Sequence, residues 1–288
     1  MSLLEKRLFL LDMDGTLYLD DRLFDKVPEF LSYIRRTGGR YLFLTNNSSR
    51  GVEGYIDKLS GMGIPSGTED YLTSVDAAID HLRRCHPGKK CYVFGTRSFL
   101  GQLRDAGIPV TDRLEDDIDI LLCGFDRELT FQKLEDACIL LNRGVLWLAT
   151  NPDWVCPTWY GSVPDCGSIC RMLTTATGRE PLFLGKPKPA MVELALRRTG
   201  FAPEQAVIIG DRLYTDIACD GAMQGTNLTL YRQLQTEVPG VEFTASGGIA
   251  SEAELLELER MGLAAAILGK SLYTGALDLA RCVQLVQP

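Results

Sequence analysis

Two aspartates separated by one residue close the first apolar run of the sequence, Leu8-Phe9-Leu10-Leu11-Asp12-Met13-Asp14-Gly15-Thr16-Leu17-Tyr18. Carboxylates this close repel each other unless a cation or a shared proton relieves them. The pairing points to a metal and a carboxylate nucleophile, the combination used when a phosphoryl group passes through an aspartyl phosphate. An EF-hand, the alternative aspartate-rich metal loop, is excluded. Its glycine would fall at Leu17 and its closing glutamate at Leu23.

Three further groups have the same setting, polar residues where an apolar run ends. Arg40-Tyr41-Leu42-Phe43-Leu44 delivers Thr45-Asn46-Asn47-Ser48-Ser49, a hydroxyl and two amides suited to an oxyanion-binding corner, or to a plain helix cap. Leu182-Phe183-Leu184 leads into Gly185-Lys186-Pro187-Lys188-Pro189. There the backbone constrains Lys186, whose ammonium can act as a point charge on a phosphoryl oxygen and on the Asp12 carboxylate, and Lys188 reads as the solvated one. Ala206-Val207-Ile208-Ile209 ends in Gly210-Asp211-Arg212-Leu213-Tyr214-Thr215-Asp216.

These groups must be positioned by strands. Four apolar residues in a row before Asp12 read as a strand buried on both faces of a parallel sheet, with Gly15 letting the chain turn away. In open α/β sheets ligands sit at the carboxyl ends of the strands. Residues 17–27 read as a short hairpin or flap, and Pro28 opens a helix over 28–37 with Phe30, Leu31 and Ile34 on one face. A helix over 51–62 follows.

A second set of βα pieces then runs to residue 183: strands at 91–95, 119–125 and 145–150, and helices at 97–106, 130–143 and 166–177. The fold class is therefore α/β, a Rossmann-like parallel-sheet core with an inserted α/β cap domain. Residues 1–78 and 184–288 form the core and 79–183 the cap. Within the insertion, Asp153–Gly167 is rich in Trp, Tyr, Pro and Gly, as a rigid substrate-touching loop or ordinary turn packing would be. The remainder reads as helix 190–199, strand 206–209, helix 226–237, strand 241–246, helix 251–261, strand 264–268 and helix 276–286.

A chain of 288 residues predicts about two domains, and 45% hydrophobic with 24% charged residues is ordinary for a soluble globular protein. The net charge of -8 argues against nucleic acid and anionic membranes as partners, while a bound cation would still admit a phosphorylated substrate. No run approaches the ~20 apolar residues of a membrane span. The N-terminal segment does not read as a secretory signal, so the expected compartment is the cytoplasm. Nine cysteines without a CxxC pair predict reduced, mostly buried thiols. Only His81 and His86, beside Cys85 and Cys91, offer a thinkable zinc cluster, and a solvated helix end is the plainer reading. With no GxSxG elbow, a Ser-His-Asp hydrolase is disfavoured.

The DxDGT run at Asp12–Thr16, with Thr45, Lys186 and the Asp211/Asp216 pair in that order, resembles the four motifs of the haloacid dehalogenase-like phosphatases. The insertion resembles the large α/β cap of the NagD-like, or p-nitrophenylphosphatase-like, branch. Its stretch TNPDWVCPTWYGSVPDCGS follows that branch's loop pattern, with Asp165 where many members carry glycine. The resemblance implies Asp12 as nucleophile, Asp14 as general acid and base, and Lys186 as the charge that holds the phosphoryl group. Thr45 and Asn46 would bind it too, by hydroxyl and backbone amides. Mg²⁺ would be held by Asp12, the Asp14 carbonyl and Asp211. Gly15, Asn47 and Asp216 would play supporting parts, the last orienting Lys186 or a metal-bound water. The substrate would be a small phosphorylated metabolite, and a homodimer formed through the cap is also within the resemblance. A phosphomutase and a non-catalytic phosphate-binding protein are the competing readings.

From Tyr214 onward a second resemblance takes over. Asp216-Ile217, Asp220-Gly221, Gly225-Thr226-Asn227, Ser246-Gly247-Gly248 and Gly269-Lys270-Ser271 resemble the last quarter of the (β/α)8 isomerase that acts on phosphoribosylformimino-aminoimidazole-carboxamide ribotide in histidine biosynthesis. A barrel needs eight βα units, and the isomerase's first-strand acid has no counterpart here. The tail, residues 213–288, is therefore expected to complete the phosphatase sheet rather than to isomerise a ribotide.

Overall fold

The structure, a computed structural model, describes residues 6–19, 21–158, 160–210, 228–237, 243–246, 249, 251–263, 265–267 and 277–286. The chain forms two compact units, residues 1–44 with 195–288, and residues 45–194. Asp211, Asp216, Trp159, Gly247-Gly248 and Gly269-Lys270 lie outside the described residues.

In the first unit, β1 (Leu8–Asp12) runs between two parallel neighbours. Leu8 to Leu11 register with Ala206 to Ile209 of β13 (Ala206–Ile209), and Leu8 to Asp12 with Arg40 to Leu44 of β4 (Arg40–Thr45). A strand paired on both edges and covered on both faces has no solvent side, which is why Leu8, Leu10 and Leu11 are all fully buried. The expected hairpin is present: β2 (Tyr18–Leu19) pairs antiparallel with β3 (Arg22–Leu23). Helix α1 (Val27–Arg36), with Pro28 in its first turn, buries Val27, Leu31 and Ile34, and Phe30 meets Phe9 edge to face at 5.8 Å.

The tail keeps the predicted alternation, with helix α8 (Leu228–Glu237), β14 (Thr244–Ser246), α9 (Glu252–Arg260), β15 (Ala265–Ile267) and α10 (Leu279–Val286). β14 and β15 are parallel, and among the described residues they form a two-stranded sheet of their own. Ser251 and Glu254 close a reciprocal cap on α9, satisfying N–H groups that would otherwise be orphaned.

The second unit opens with α2 (Glu53–Gly61) and β5 (Tyr71–Thr73), and the chain leaves it through α7 (Ala190–Thr199). It holds a five-stranded parallel sheet, in the order β12-β9-β8-β6-β7, made by β6 (Cys91–Phe94), β7 (Val110–Thr111), β8 (Ile120–Cys123), β9 (Leu146–Ala149) and β12 (Leu182–Phe183). The period-2 alternation of a pleated sheet sorts its side chains into two cores. Tyr92, Phe94, Leu121, Cys123 and Trp147 pack on one face with α5 (Phe131–Arg143) and α6 (Cys166–Thr177). Cys91, Val93, Ile120, Leu122 and Leu148 pack on the other with α3 (Ser74–Cys85) and α4 (Arg97–Asp105). The stretch read as a loop contains a two-stranded hairpin, β10 (Val155–Thr158) with β11 (Gly161–Pro164). Among the described cysteines all are free thiols, and Cys91, Cys123, Cys166, Cys170 and Cys282 are buried.

Candidate active site

Asp12 is the last residue of β1, partly exposed, and Asp14 stands exposed two residues on, with Met13 between them fully buried. The strand alternation thus turns the apolar residue inward and both carboxyls outward. The chain then folds back sharply. Gly15 donates its N–H to the Tyr18 carbonyl at 2.8 Å, and Leu17 donates to that of Met13 at 2.9 Å. Gly15 has φ +92°, a conformation that any side chain would strain, so this turn needs glycine. The Thr16 hydroxyl reaches back towards Asp12 Oδ2 at 3.5 Å.

The other half of the predicted set lies in the second unit, which begins at Thr45, the last residue of β4. Thr45 is buried, and its Oγ1 accepts the N–H of Asn47 at 3.1 Å, so the hydroxyl proton is directed elsewhere. Asn47 Oδ1 takes both the N–H of Ser49, at 2.9 Å, and its hydroxyl, at 2.7 Å, holding the turn after the strand. Asn46 and Lys186 are brought together across 140 residues of sequence. The N–H of Lys186 donates to Asn46 Oδ1 at 2.8 Å, and Asn46 Nδ2 donates to the Lys186 carbonyl at 2.9 Å. The Asn46 side chain is therefore engaged with the backbone of the lysine. Lys186 is itself buried at 6% exposure, whereas Lys188 is exposed. A solvated surface lysine has no such setting.

Three polar residues that the sequence placed in the cap loop without a role lie in this neighbourhood. Asn151, Asp153 and Asp165 are all buried: Asn151 Nδ2 donates to Asp153 Oδ2 at 2.8 Å and to Asp165 Oδ1 at 3.2 Å. The signal was present in the TNPD string, where an apolar strand ends in an amide and an acid as it does at Asp12 and Thr45. Trp154 and Tyr160, on and beside the hairpin that follows, are exposed at 58% and 64%. Among the described residues, no three His, Cys, Asp or Glu side chains cluster in a way that would hold a metal.

Comparisons with known proteins point to one family. The profile of the haloacid dehalogenase-like hydrolases matches residues 9–109. A 5'-nucleotidase of Bacillus subtilis is 32% identical over 209 residues, 73% of this chain and 80% of that protein. The chain belongs to the haloacid dehalogenase-like hydrolases. An acid sugar phosphatase of Staphylococcus aureus is 31% identical over 220 residues, 76% of this chain and 82% of the relative. The crystal structure of a 4-nitrophenylphosphatase from Thermotoga maritima superposes with a TM-score of 0.76 at 31% identity, over 96% of this chain and 99% of that one. Within the family the chain stands among the enzymes that hydrolyse phosphoric monoesters, on the NagD-like branch expected from its motifs. The profile of the histidine biosynthesis proteins matches residues 203–278, which bears out the second resemblance of the tail. Among the described residues, no helix is long and apolar enough to cross a membrane.

Proposed function

We propose that this hydrolase removes the phosphoryl group from small phosphomonoesters, of the sugar-phosphate or nucleoside-monophosphate size, in a Mg²⁺-dependent reaction through an aspartyl phosphate on Asp12. The observation that carries the reading is the end of β1: a carboxylate at the carboxyl end of a buried, doubly paired strand, with a second, exposed carboxylate two residues later. A nucleophile needs a fixed position, and β1 supplies it. A general acid needs room to meet a leaving group, and the exposed Asp14 has it.

In the first step an oxygen of Asp12 attacks phosphorus. The bond to the leaving oxygen breaks, and Asp14 gives that oxygen its proton. In the second, Asp14 takes a proton from water as the water attacks, freeing phosphate and restoring the Asp12 carboxylate. The Lys186 ammonium, the Thr45 hydroxyl and the Asn46 N–H hold the phosphoryl oxygens, whose charge is shared with the ammonium. Gly15 and Asn47 shape the turns that present these groups. Asp216, outside the described residues, would orient Lys186 or a metal-bound water.

The donor chemistry suits a hard cation: the Asp12 carboxylate and the Asp14 carbonyl would hold it, with Asp211, outside the described residues, as the expected third protein ligand, and neither thiol nor imidazole in the set. Bound there, Mg²⁺ supplies positive charge that lets the anionic nucleophile approach an anionic ester. The exposed rings of Trp154 and Tyr160 suit selection of the alcohol part of the substrate.

The experiment is phosphate release from an aryl phosphate, then from a panel of sugar phosphates and nucleoside monophosphates, with Mg²⁺ and with chelator. Asp12→Asn is expected to lose activity by at least about 10³-fold while remaining folded, and chelation to abolish it. Turnover by Asp12→Asn at the parent rate would overturn the covalent route. Undiminished turnover in chelator would overturn the metal.

A further inference from the structure

We infer that Asp153 is a positioning residue for Lys186, acting through the side-chain amide of Asn46. The inference rests on the reading that Lys186 holds the phosphoryl group.

The amide of Asn46 has two protons and one strongly accepting oxygen, and all three are used. Oδ1 accepts the N–H of Lys186 at 2.8 Å, and one Nδ2 proton goes to the Lys186 carbonyl at 2.9 Å. The second Nδ2 proton goes to Asp153 Oδ2 at 2.8 Å, across 107 residues of sequence. The first two bonds clamp residue 186 on both sides of its Cα, fixing the origin of the lysine side chain. They also set which way the amide faces, since one is made to a donor and the other to an acceptor. Asp153 holds the amide in the same sense from its far side, because a carboxylate only accepts. A reversed amide would set oxygen against the Lys186 carbonyl and the Asp153 carboxylate, and NH₂ against the Lys186 N–H, three buried like-to-like contacts.

Asp153 is itself held firmly. It is 3% exposed, and its Oδ2 takes a second amide proton from Asn151 Nδ2 at 2.8 Å. Its carbonyl accepts the N–H of Gly167, in the first turn of α6, at 2.8 Å. Asn151, fully buried, also donates to Asp165 Oδ1 at 3.2 Å, and that oxygen accepts the Cys166 N–H at 2.5 Å. A continuous line of buried side chains thus joins the start of a helix to the backbone of the lysine. Its last polar contact fixes a functional side chain rather than merely filling a core.

The test is steady-state hydrolysis of an aryl phosphate by Asp153→Ala, Asp153→Asn, Lys186→Ala and the double variant Asp153→Ala/Lys186→Ala, with unfolding measured for each. Asp153→Ala is expected to lower kcat by about 10–100-fold with KM within about threefold, since a misplaced lysine weakens the transition state most. Asp153→Asn should keep kcat within about fivefold, because its amide oxygen can still accept from both asparagines. In the Lys186→Ala background Asp153→Ala should slow the enzyme by less than about threefold, since what it positions is gone. Three results overturn the inference: an unchanged kcat in Asp153→Ala, a rate as low in Asp153→Asn, or the same factor in both backgrounds. Full activity in Lys186→Ala would instead overturn the role given to the lysine. If Asp153→Ala does not fold, Asp153→Glu decides the matter. It keeps the acceptor but moves it by one methylene, so kcat should fall by at least about fivefold in the parent background and by less than about threefold in Lys186→Ala, and the same factor in both refutes the inference.

Discussion

Adding one methyl group at Gly185 is predicted to damage both stability and turnover. A Cβ built there would lie 2.3 Å from the Thr150 carbonyl oxygen and 2.6 Å from Asn46 Oδ1. Ordinary carbon contacts begin near 3.5 Å, so the segment must retreat by about 1 Å. Retreat stretches the Gly185 N–H bond to Thr150 O, now 2.7 Å, and draws Lys186 away from Asn46. Overpacking a tight site costs about 1–3 kcal/mol, and each weakened buried hydrogen bond about 1 kcal/mol more. Gly185→Ala should therefore lose about 2–4 kcal/mol in denaturant unfolding, and a displacement of about 1 Å should lower kcat by about 10²-fold. Gly101→Ala is the control. It lies inside α4, where an added methyl group would meet no atom within 4 Å, so alanine there should stabilise by about 0.5–1 kcal/mol and leave kcat unchanged. A Gly185→Ala enzyme as stable and as fast as the parent would refute the tight packing inferred around Lys186.

Three further outcomes follow from the packing. Lys133 Nζ donates to Asp126 Oδ2 at 2.7 Å and to the Gly95 carbonyl at 2.9 Å, and the Asp126 side chain has no exposed surface. Lys133→Met should cost about 3–5 kcal/mol in denaturant unfolding, and Asp126→Leu added to it should recover part of the loss. His81 has its pKa lowered, first by burial and then by the positive charge of His86 and Arg84, and its Nε2 is buried without a hydrogen-bond partner. The unfolded chain therefore binds this proton more readily than the folded one. The stability contributed above the unfolded value of 6.5 is lost as pH falls below it through the folded value. In thermal unfolding, His81→Gln should flatten the decline in Tm between about pH 7 and pH 5. Deleting residues 225–288 should leave an insoluble, inactive chain, because Tyr231, Leu255, Leu258 and Cys282 are buried. A soluble, active truncation would show that the tail is dispensable.

The strands were the most legible part of the sequence. Buried parallel strands are nearly continuous apolar runs, and each of 8–11, 40–44 and 206–209 gives way to polar residues, so both element and boundary were marked, whereas the run read over 119–125 continues through Gly124 and Phe125 past the end of β8 at Cys123. Helix α6 was legible to the residue, from its Asp165 cap to its stop at Gly178. Helix α3 went unread despite its Thr73 and Asp76 capping pair, because Ser74-Val75 following Leu72-Thr73 looks like the end of a strand. β7 has only two residues and no periodicity to detect. In the site, single residues at strand ends were visible, but the pairing of Asn46 with Lys186 and Asp153 was not. A hydrogen bond between residues over a hundred positions apart leaves no local pattern.

The short parallel pair β14 and β15 has a consequence for how this chain is put together. Parallel neighbours cannot be joined by a tight turn; they need a crossover, which is right-handed almost without exception. A closed barrel and an open doubly wound sheet are therefore assembled from the same brick with the same chirality. A segment similar to the histidine biosynthesis proteins, residues 203–278, can therefore follow phosphatase sequence without any reversal of winding. The similarity begins just before β13, an apolar strand of the kind that either architecture uses.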